Sequence, residues 1–167
     1  MRERSASDGR ARLLADAMLG GLAKWLRILG LDVAYDPELD DAGVVDRARE
    51  EDRWILTRDR RLVKRREARD RHLLIDSVHV PEQVRQVVDA LDLDVDRERL
   101  FSRCVRCNRP LEPIPAAEAR SEVPPYVAKT QDRFRQCPDC ERIFWPATHV
   151  GRMRKKLDRW GVLPDGA

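Results

Sequence analysis

Cysteine is scarce in this chain and narrowly placed. Four cysteines occur in 167 residues, all between positions 104 and 140. No apolar run approaches the roughly 20 residues that span a bilayer, and mean hydropathy is −0.61. No membrane association is therefore expected. The opening Met1-Arg2-Glu3-Arg4-Ser5 lacks the apolar core of a secretory signal. The expectation is a soluble, cytoplasmic protein, in which four cysteines would not be kept as disulfides. Internal repeats and low-complexity tracts are also missing, which excludes a solenoid or a biased linker.

What the chain has in excess is charge. Asp, Glu, Lys and Arg make up 38% of it, well above the usual quarter. Hydrophobic residues, at 42%, still suffice for a core. The net charge of +3 is unevenly spread. Residues 1–100 carry 20 Lys and Arg against 22 Asp and Glu, whereas residues 101–167 carry 13 against 8. A basic carboxyl-terminal part suits a polyanionic partner, although solubility alone explains charges of this size equally well.

Hydrophobic spacing gives the order of elements. The first ten residues read as a frayed polar end. Arg12–Ala15 reads as a buried strand closed by Asp16. Met18, Leu22, Trp25, Leu26 and Leu29 fall at helical spacing, and Gly30 stops that helix. Asp32–Tyr35 reads as a second strand. Asp40-Asp41 starts a helix reaching about Asp52, with either aspartate able to cap it. Trp54–Thr57 is a third strand, followed at once by Asp59 and by a basic stretch from Arg58 to Arg71. His72–Ile75 is a fourth strand. Pro81 opens a helix with Val84, Val87, Val88 and Leu91 on one face. This alternation predicts an α/β fold with a mostly parallel sheet, helices on its faces, and functional groups beyond the carboxyl ends of the strands.

The character changes near Leu100-Phe101-Ser102, giving an expected division into residues 11–100 and 101–160. Five prolines between 110 and 125 break any long element. Residues 150–160 read as a short basic helix with Met153, Leu157 and Trp160 as a weak apolar face. Cys104-Val-Arg-Cys107 and Cys137-Pro-Asp-Cys140 are two C-x-x-C units, 29 residues apart. Each unit places two thiolates on one edge of a tetrahedron, and two units complete a Zn²⁺ shell. Four thiolates leave no open position, so such a zinc would be structural, and a mini-domain this small would draw its folding energy from the metal. His149 is a fifth candidate ligand, a structural histidine or an RNA contact.

Asp16, Asp40, Asp41 and Asp59 are the acids that could seat Mg²⁺ or Mn²⁺, which prefer carboxylate oxygens. Spacing alone leaves helix capping as the plainer role for Asp40 and Asp41.

Longer motifs carry a resemblance. Asp16-Ala-Met-Leu-Gly-Gly-Leu-Ala-Lys-Trp-Leu-Arg-Ile-Leu-Gly30, Ile55-Leu-Thr-Arg-Asp59, Arg103-Cys-Val-Arg-Cys-Asn108, Cys137-Pro-Asp-Cys140 and Ile143-Phe-Trp-Pro-Ala-Thr-His149 together resemble the Mut-seven C-terminal ribonuclease domain. The resemblance covers about residues 11–160. It implies a PIN-like three-layer fold followed by a small zinc ribbon, and metal-dependent endoribonucleolytic cleavage of RNA. By position, Asp16 matches the acid after the first strand, Asp40-Asp41 those before the second helix, and Asp59 that of the T-R-D motif. Asp16, Asp41 and Asp59 are the expected Mg²⁺ or Mn²⁺ ligands, and Asp76 is a candidate fourth acid. Lys24, Arg27, Arg58, Arg60, Arg61, Lys64 and His149 are then expected RNA contacts. Phe144 and Trp145 would stack on bases or pack the ribbon onto the main domain. The alternatives are a non-catalytic zinc-ribbon RNA-binding module and a protein-interaction adaptor built on the ribbon.

Overall fold

The computed structural model describes residues 11–68 and 70–166. The expected frayed end, residues 1–10, and Arg69 of the basic stretch lie outside the described residues.

Four short strands, β1 (Leu13–Ala15), β2 (Val33–Tyr35), β3 (Trp54–Thr57) and β4 (His72–Leu74), form a wholly parallel sheet in the order β2-β1-β3-β4. Leu14 of β1 is level with Ala34 of β2 and with Ile55 of β3. The order has a physical consequence. The chain steps from β1 to one side for β2, then returns past β1 for β3. Parallel crossovers are right-handed, so a reversal of direction moves the crossover helix to the other face. Helix α1 (Gly20–Ile28) lies on one face, while α2 (Asp41–Glu50) and the short α3 (Arg60–Val63) lie on the other.

Alternation along the strands serves both faces. Leu13, Ala15 and Leu56 bury themselves with Leu22, Leu26 and Ile28 of α1, and with Val84 and Val87 of α4 (Val80–Ala90). Leu14 and Ile55 point the other way, to Val44, Val45 and Ala48 of α2 and Leu62 of α3. Gly30 ends α1 with φ +86°, and a Cβ there would come within 2.6 Å of the Arg99 carbonyl oxygen. Only glycine suits both the left-handed backbone and that approach.

Beyond residue 100 a second sheet forms. Strands β5 (Glu112–Ile114), β6 (Phe134–Gln136) and β7 (Ile143–Phe144) pair antiparallel in that order. The 29 residues between the cysteine pairs hold β5, β6 and two short helices, α5 (Ala116–Ala119) and α6 (Pro125–Thr130). The last helix, α7 (Thr148–Arg159), starts two residues before the expected Val150. It turns Leu157 into the main core, with Met153 and Trp160 packed alongside. The Trp160 ring meets Trp25 of α1 edge-on, with centroids 4.6 Å apart. No helix among the described residues is long and apolar enough to cross a membrane.

Candidate metal centres

Asp16 and Asp59 follow β1 and β3, adjacent strands whose carboxyl ends lie at the point where the strand order reverses. Asp16 is buried, at 6% exposure. Its Oδ1 accepts from the Ala17 amide at 2.7 Å, capping a 3-10 turn over Ala17–Leu19. Its Oδ2 accepts from the Thr57 hydroxyl at 2.8 Å. Thr57 ends β3 and is fully buried. The same hydroxyl accepts from the Asp59 amide at 3.0 Å, and Asp59 Oδ1 accepts from the Arg61 amide at 2.8 Å. One hydroxyl thus joins the backbone of one acid to the carboxylate of the other. The Tyr35 hydroxyl, from β2, donates to the Ala17 carbonyl at 2.7 Å and braces the turn beside Asp16.

Asp40 caps α2, its Oδ1 accepting from the Gly43 amide at 2.8 Å, and Asp41 lies half-buried in the first turn. Asp76, exposed just past β4, is held by Gln86, which donates to its carboxylate at 3.2 Å. No three of these acids bring ligand oxygens as close together as the cysteine thiols described below.

The expected cations divide. Lys24, Arg60, Arg61 and Lys64 are exposed. Arg58 is half-buried between Thr57 and Asp59, and its Nε is a buried donor without a hydrogen-bond partner. Arg27, also expected to touch RNA, donates to carbonyls of its own chain. It is 7% exposed. Its Nε donates to the Val33 carbonyl at 2.8 Å, and one terminal nitrogen donates to those of Val105 and Arg106 at 2.9 and 3.3 Å. Helical periodicity put Arg27 one turn from Lys24, but gave no sign that the second module would cover it.

The thiols of Cys104, Cys107, Cys137 and Cys140 lie within 4.8 Å of one another, the one such cluster of metal-ligating residues among the described residues. The two turns that carry them are built alike. The Cys104 amide donates to the Arg109 carbonyl, and that of Cys137 to Arg142, at 2.8 and 3.0 Å. Asn108 and Glu141, each just after the second cysteine, have φ +61° and +60°. Burial pushes the Cys104 thiol up, and burial with neighbouring thiols pushes Cys107 up to about 12. The Arg142 backbone, donating to Cys140, holds that thiol down at about 7. Four thiols so crowded cannot all ionise unaided, whereas one bound cation offsets their repulsion. This geometry can hold a metal such as zinc. His149 is exposed on α7 and outside the cluster.

Asn108 fastens this centre to the main sheet. Its amide nitrogen donates to Asp32 at 2.7 Å, and its side-chain oxygen accepts from the Val33 amide at 3.0 Å. Asp32 also accepts from Arg53 at 2.8 Å. Burial alone would raise the Asp32 carboxyl, but the hydrogen bonds from Arg53 and Asn108 outweigh it and hold the carboxyl below its usual range. Burial lowers the Arg27 guanidinium, while Cys104, Cys107 and Asp32 oppose that. Asp32 and Val33 mark the amino end of β2. The cysteine centre therefore docks at the opposite edge of the sheet from Asp16 and Asp59. Phe144 and Trp145 are half-buried and are not among the residues packed on the main core, which Val105, Met153 and Trp160 join instead. A cavity of about 590 Å³ lies between Val45, Arg53, Ile55 and Arg71, and none of the carboxyl-edge acids lines it.

Thr57 and Asn108 were not singled out from the sequence. The usable signals were a hydroxyl at a buried strand end and an asparagine where a turn needs positive φ. No curated protein and no solved structure gives a match. The model of one family, the Mut7-C RNAse domain, matches residues 11–157, nearly the whole chain. With that match added to the parallel sheet and the four-thiol cluster, the chain belongs to the Mut7-C RNAse domain family.

Proposed function

We propose that the protein is a metal-dependent endoribonuclease that hydrolyses RNA phosphodiester bonds at the carboxyl edge of its parallel sheet. The observation that carries this reading is the Asp16–Thr57–Asp59 chain of hydrogen bonds. It draws two acids, 43 residues apart, to the strand-order reversal, where ligands of such sheets bind. Asp16, Asp59 and one or both of Asp40 and Asp41 would hold Mg²⁺ or Mn²⁺. Carboxylate oxygens match these hard ions, which retain several of their waters when bound. Such an ion, when bound, supplies Lewis acidity at the phosphate and an acidified water.

The protein side chains have their own tasks. Thr57 would fix Asp16 by donating to its Oδ2. Arg58, whose buried Nε has no hydrogen-bond partner, would contact a phosphate beside Asp59. Lys24, Arg60, Arg61 and Lys64 would hold flanking phosphates. At the other edge, Cys104, Cys107, Cys137 and Cys140 would bind a structural Zn²⁺.

A second reading, an RNA-binding module without catalysis, is favoured by one observation. Asp16, Asp40 and Asp59 each spend an oxygen on capping a turn or helix. Single-turnover cleavage of unstructured RNA in Mn²⁺ separates the two. The nuclease reading expects wild type to cleave and Asp16→Asn and Asp59→Asn to fall by orders of magnitude. Equal rates in all three would end it.

A further inference from the structure

Helix α7 breaks a rule of helix design on its outer face. Arg152, Lys155, Lys156 and Arg159 are all exposed there. At 3.6 residues per turn they share an arc of about 100°, on the side away from the buried Leu157. Each lies three or four residues from two of the others, where like charges repel. The only acid of the helix, Asp158, does not relieve them, because it pairs with Arg97 at 2.6 Å. Among the described residues none of the four makes an ion pair. Gly151 lies beside the stripe, and a Cβ placed on it would meet nothing within 4 Å. No internal packing calls for a glycine there, and the helix forgoes stability to leave that surface bare. Repulsion and an unforced glycine at one place suggest a surface kept for a ligand.

The surface is also remote from the acids. Trp160 meets Trp25 edge-on, Arg97 donates to Asp158 and to the Pro164 carbonyl, and the Arg154 guanidinium lies 5.7 Å over the Phe101 ring. Phe101 in turn donates its amide to Ile28 at the end of α1. These contacts anchor α7 to the outer side of the α1 and α4 layer, towards the edge of the sheet where the cysteine centre docks. Asp16 and Asp59 lie at the other edge.

We propose that Arg152, Lys155, Lys156 and Arg159 form a second RNA-binding surface, which tracks phosphates of a single strand away from the bond being cut. The family supplies the polyanion: RNA. The face supplies the mode. The apolar residues of α7 lie on its other side, where Met153 and Trp160 pack on the core and Val150 is half-buried. The face therefore lacks the apolar anchor that a protein partner or a membrane surface requires, and phosphate contacts require none. Binding there would be indifferent to sequence and steeply dependent on salt. The proposal rests on the ribonuclease reading for the role of the surface, but not for its affinity.

The test compares Lys155→Gln/Lys156→Gln/Arg159→Gln with a control of equal charge change elsewhere, Arg49→Gln/Arg85→Gln/Lys129→Gln. Both are made in full-length zinc-loaded protein, in the wild-type and the Asp16→Asn backgrounds. Fluorescence anisotropy in the Asp16→Asn background reads binding of a single-stranded RNA of about 30 nucleotides and of one of about 5, near the lower limit of known single-strand sites. The stripe variant is expected to bind the long RNA at least ~10-fold more weakly, with the salt slope reduced by roughly 2, at about 0.7 per lost phosphate contact. The short RNA and the control variant should change little. In cleavage, the stripe variant should raise KM for the long RNA at unchanged kcat. Unchanged long-RNA affinity, or an equal loss in the control, overturns the proposal. So does loss of poly-glutamate binding with RNA binding intact, which would mark a protein-docking face. Should wild type fail to cleave at all, the nuclease reading falls while the anisotropy still decides this one.

Discussion

The Thr57 hydroxyl donates to Asp16 Oδ2 over 2.8 Å while accepting the Asp59 amide at 3.0 Å. A buried hydroxyl with both bonding directions used is hard to replace. Thr57→Val keeps the volume and leaves a buried carboxylate oxygen and an amide unpaired, at a cost of about 1–3 kcal/mol. Thr57→Ser keeps the hydroxyl. Under the proposed function, Thr57→Val should lose most cleavage while Thr57→Ser retains most of it. Thermal melting alongside single-turnover assays checks this. Valine and serine variants of equal activity would remove Thr57 from the site.

Arg27 yields a prediction with two readouts. It is buried and spent on three carbonyls, two from the first cysteine turn. Arg27→Gln should lower stability by about 2–4 kcal/mol, since buried carbonyls lose a charged donor. RNA affinity, measured below the lowered melting temperature, should not change. An RNA-contacting arginine would give the reverse pattern, with melting intact and affinity reduced.

Much of this architecture is legible from residue spacing alone, and the exceptions have a common cause. Leu13–Ala15, Trp54–Thr57 and the Val84-Val87 stripe announce themselves because burial within one element leaves a periodic trace. The two C-x-x-C turns do so because metal geometry fixes their spacing. What stays hidden depends on distant partners. Arg27 looks like a surface cation until Val105 covers it, and Asn108 looks like an ordinary turn residue until it meets Asp32. The same holds for the place of the cysteine centre, on the far edge from Asp16. No local pattern encodes which edge of a sheet a later module covers.

The cysteine centre should respond to metal as one unit. Zinc removal, or Cys137→Ser, should unfold the region from β5 to β7 before the parallel sheet, because the thiols there stand in for a core of their own. Hydrogen exchange with and without zinc would resolve the order. Zinc affinity should also fall with acidification, since protons compete for the thiolates. Identical exchange protection in the two states would show that the ribbon folds without metal.

Gly151 offers a stabilising change. It is exposed within α7, and a Cβ there meets nothing within 4 Å. Gly151→Ala should therefore add about 1 kcal/mol through helix propensity, raising Tm by roughly 2–4 °C in a chain of this size. A drop in Tm would mean that the backbone of α7 is constrained at that point.

Asp32 makes stability depend on pH in a definite direction. Its carboxyl is held below the usual range by Arg53 and Asn108 in the folded protein, against the opposing effect of burial. In the unfolded chain it titrates near the ordinary value of about 3.9. The unfolded state thus binds the proton more readily. The stabilisation is fully present above that value and is lost as pH falls through it towards the lower folded value. Asp32→Asn removes the charge at every pH while keeping an acceptor oxygen. It should be less stable than wild type near neutrality, and the gap should narrow below about pH 4. Denaturant melts of both proteins between pH 3 and 7 measure that gap. A difference constant with pH would mean that Asp32 acts through shape and hydrogen bonding alone, and that its charge contributes nothing to docking the cysteine centre on the sheet.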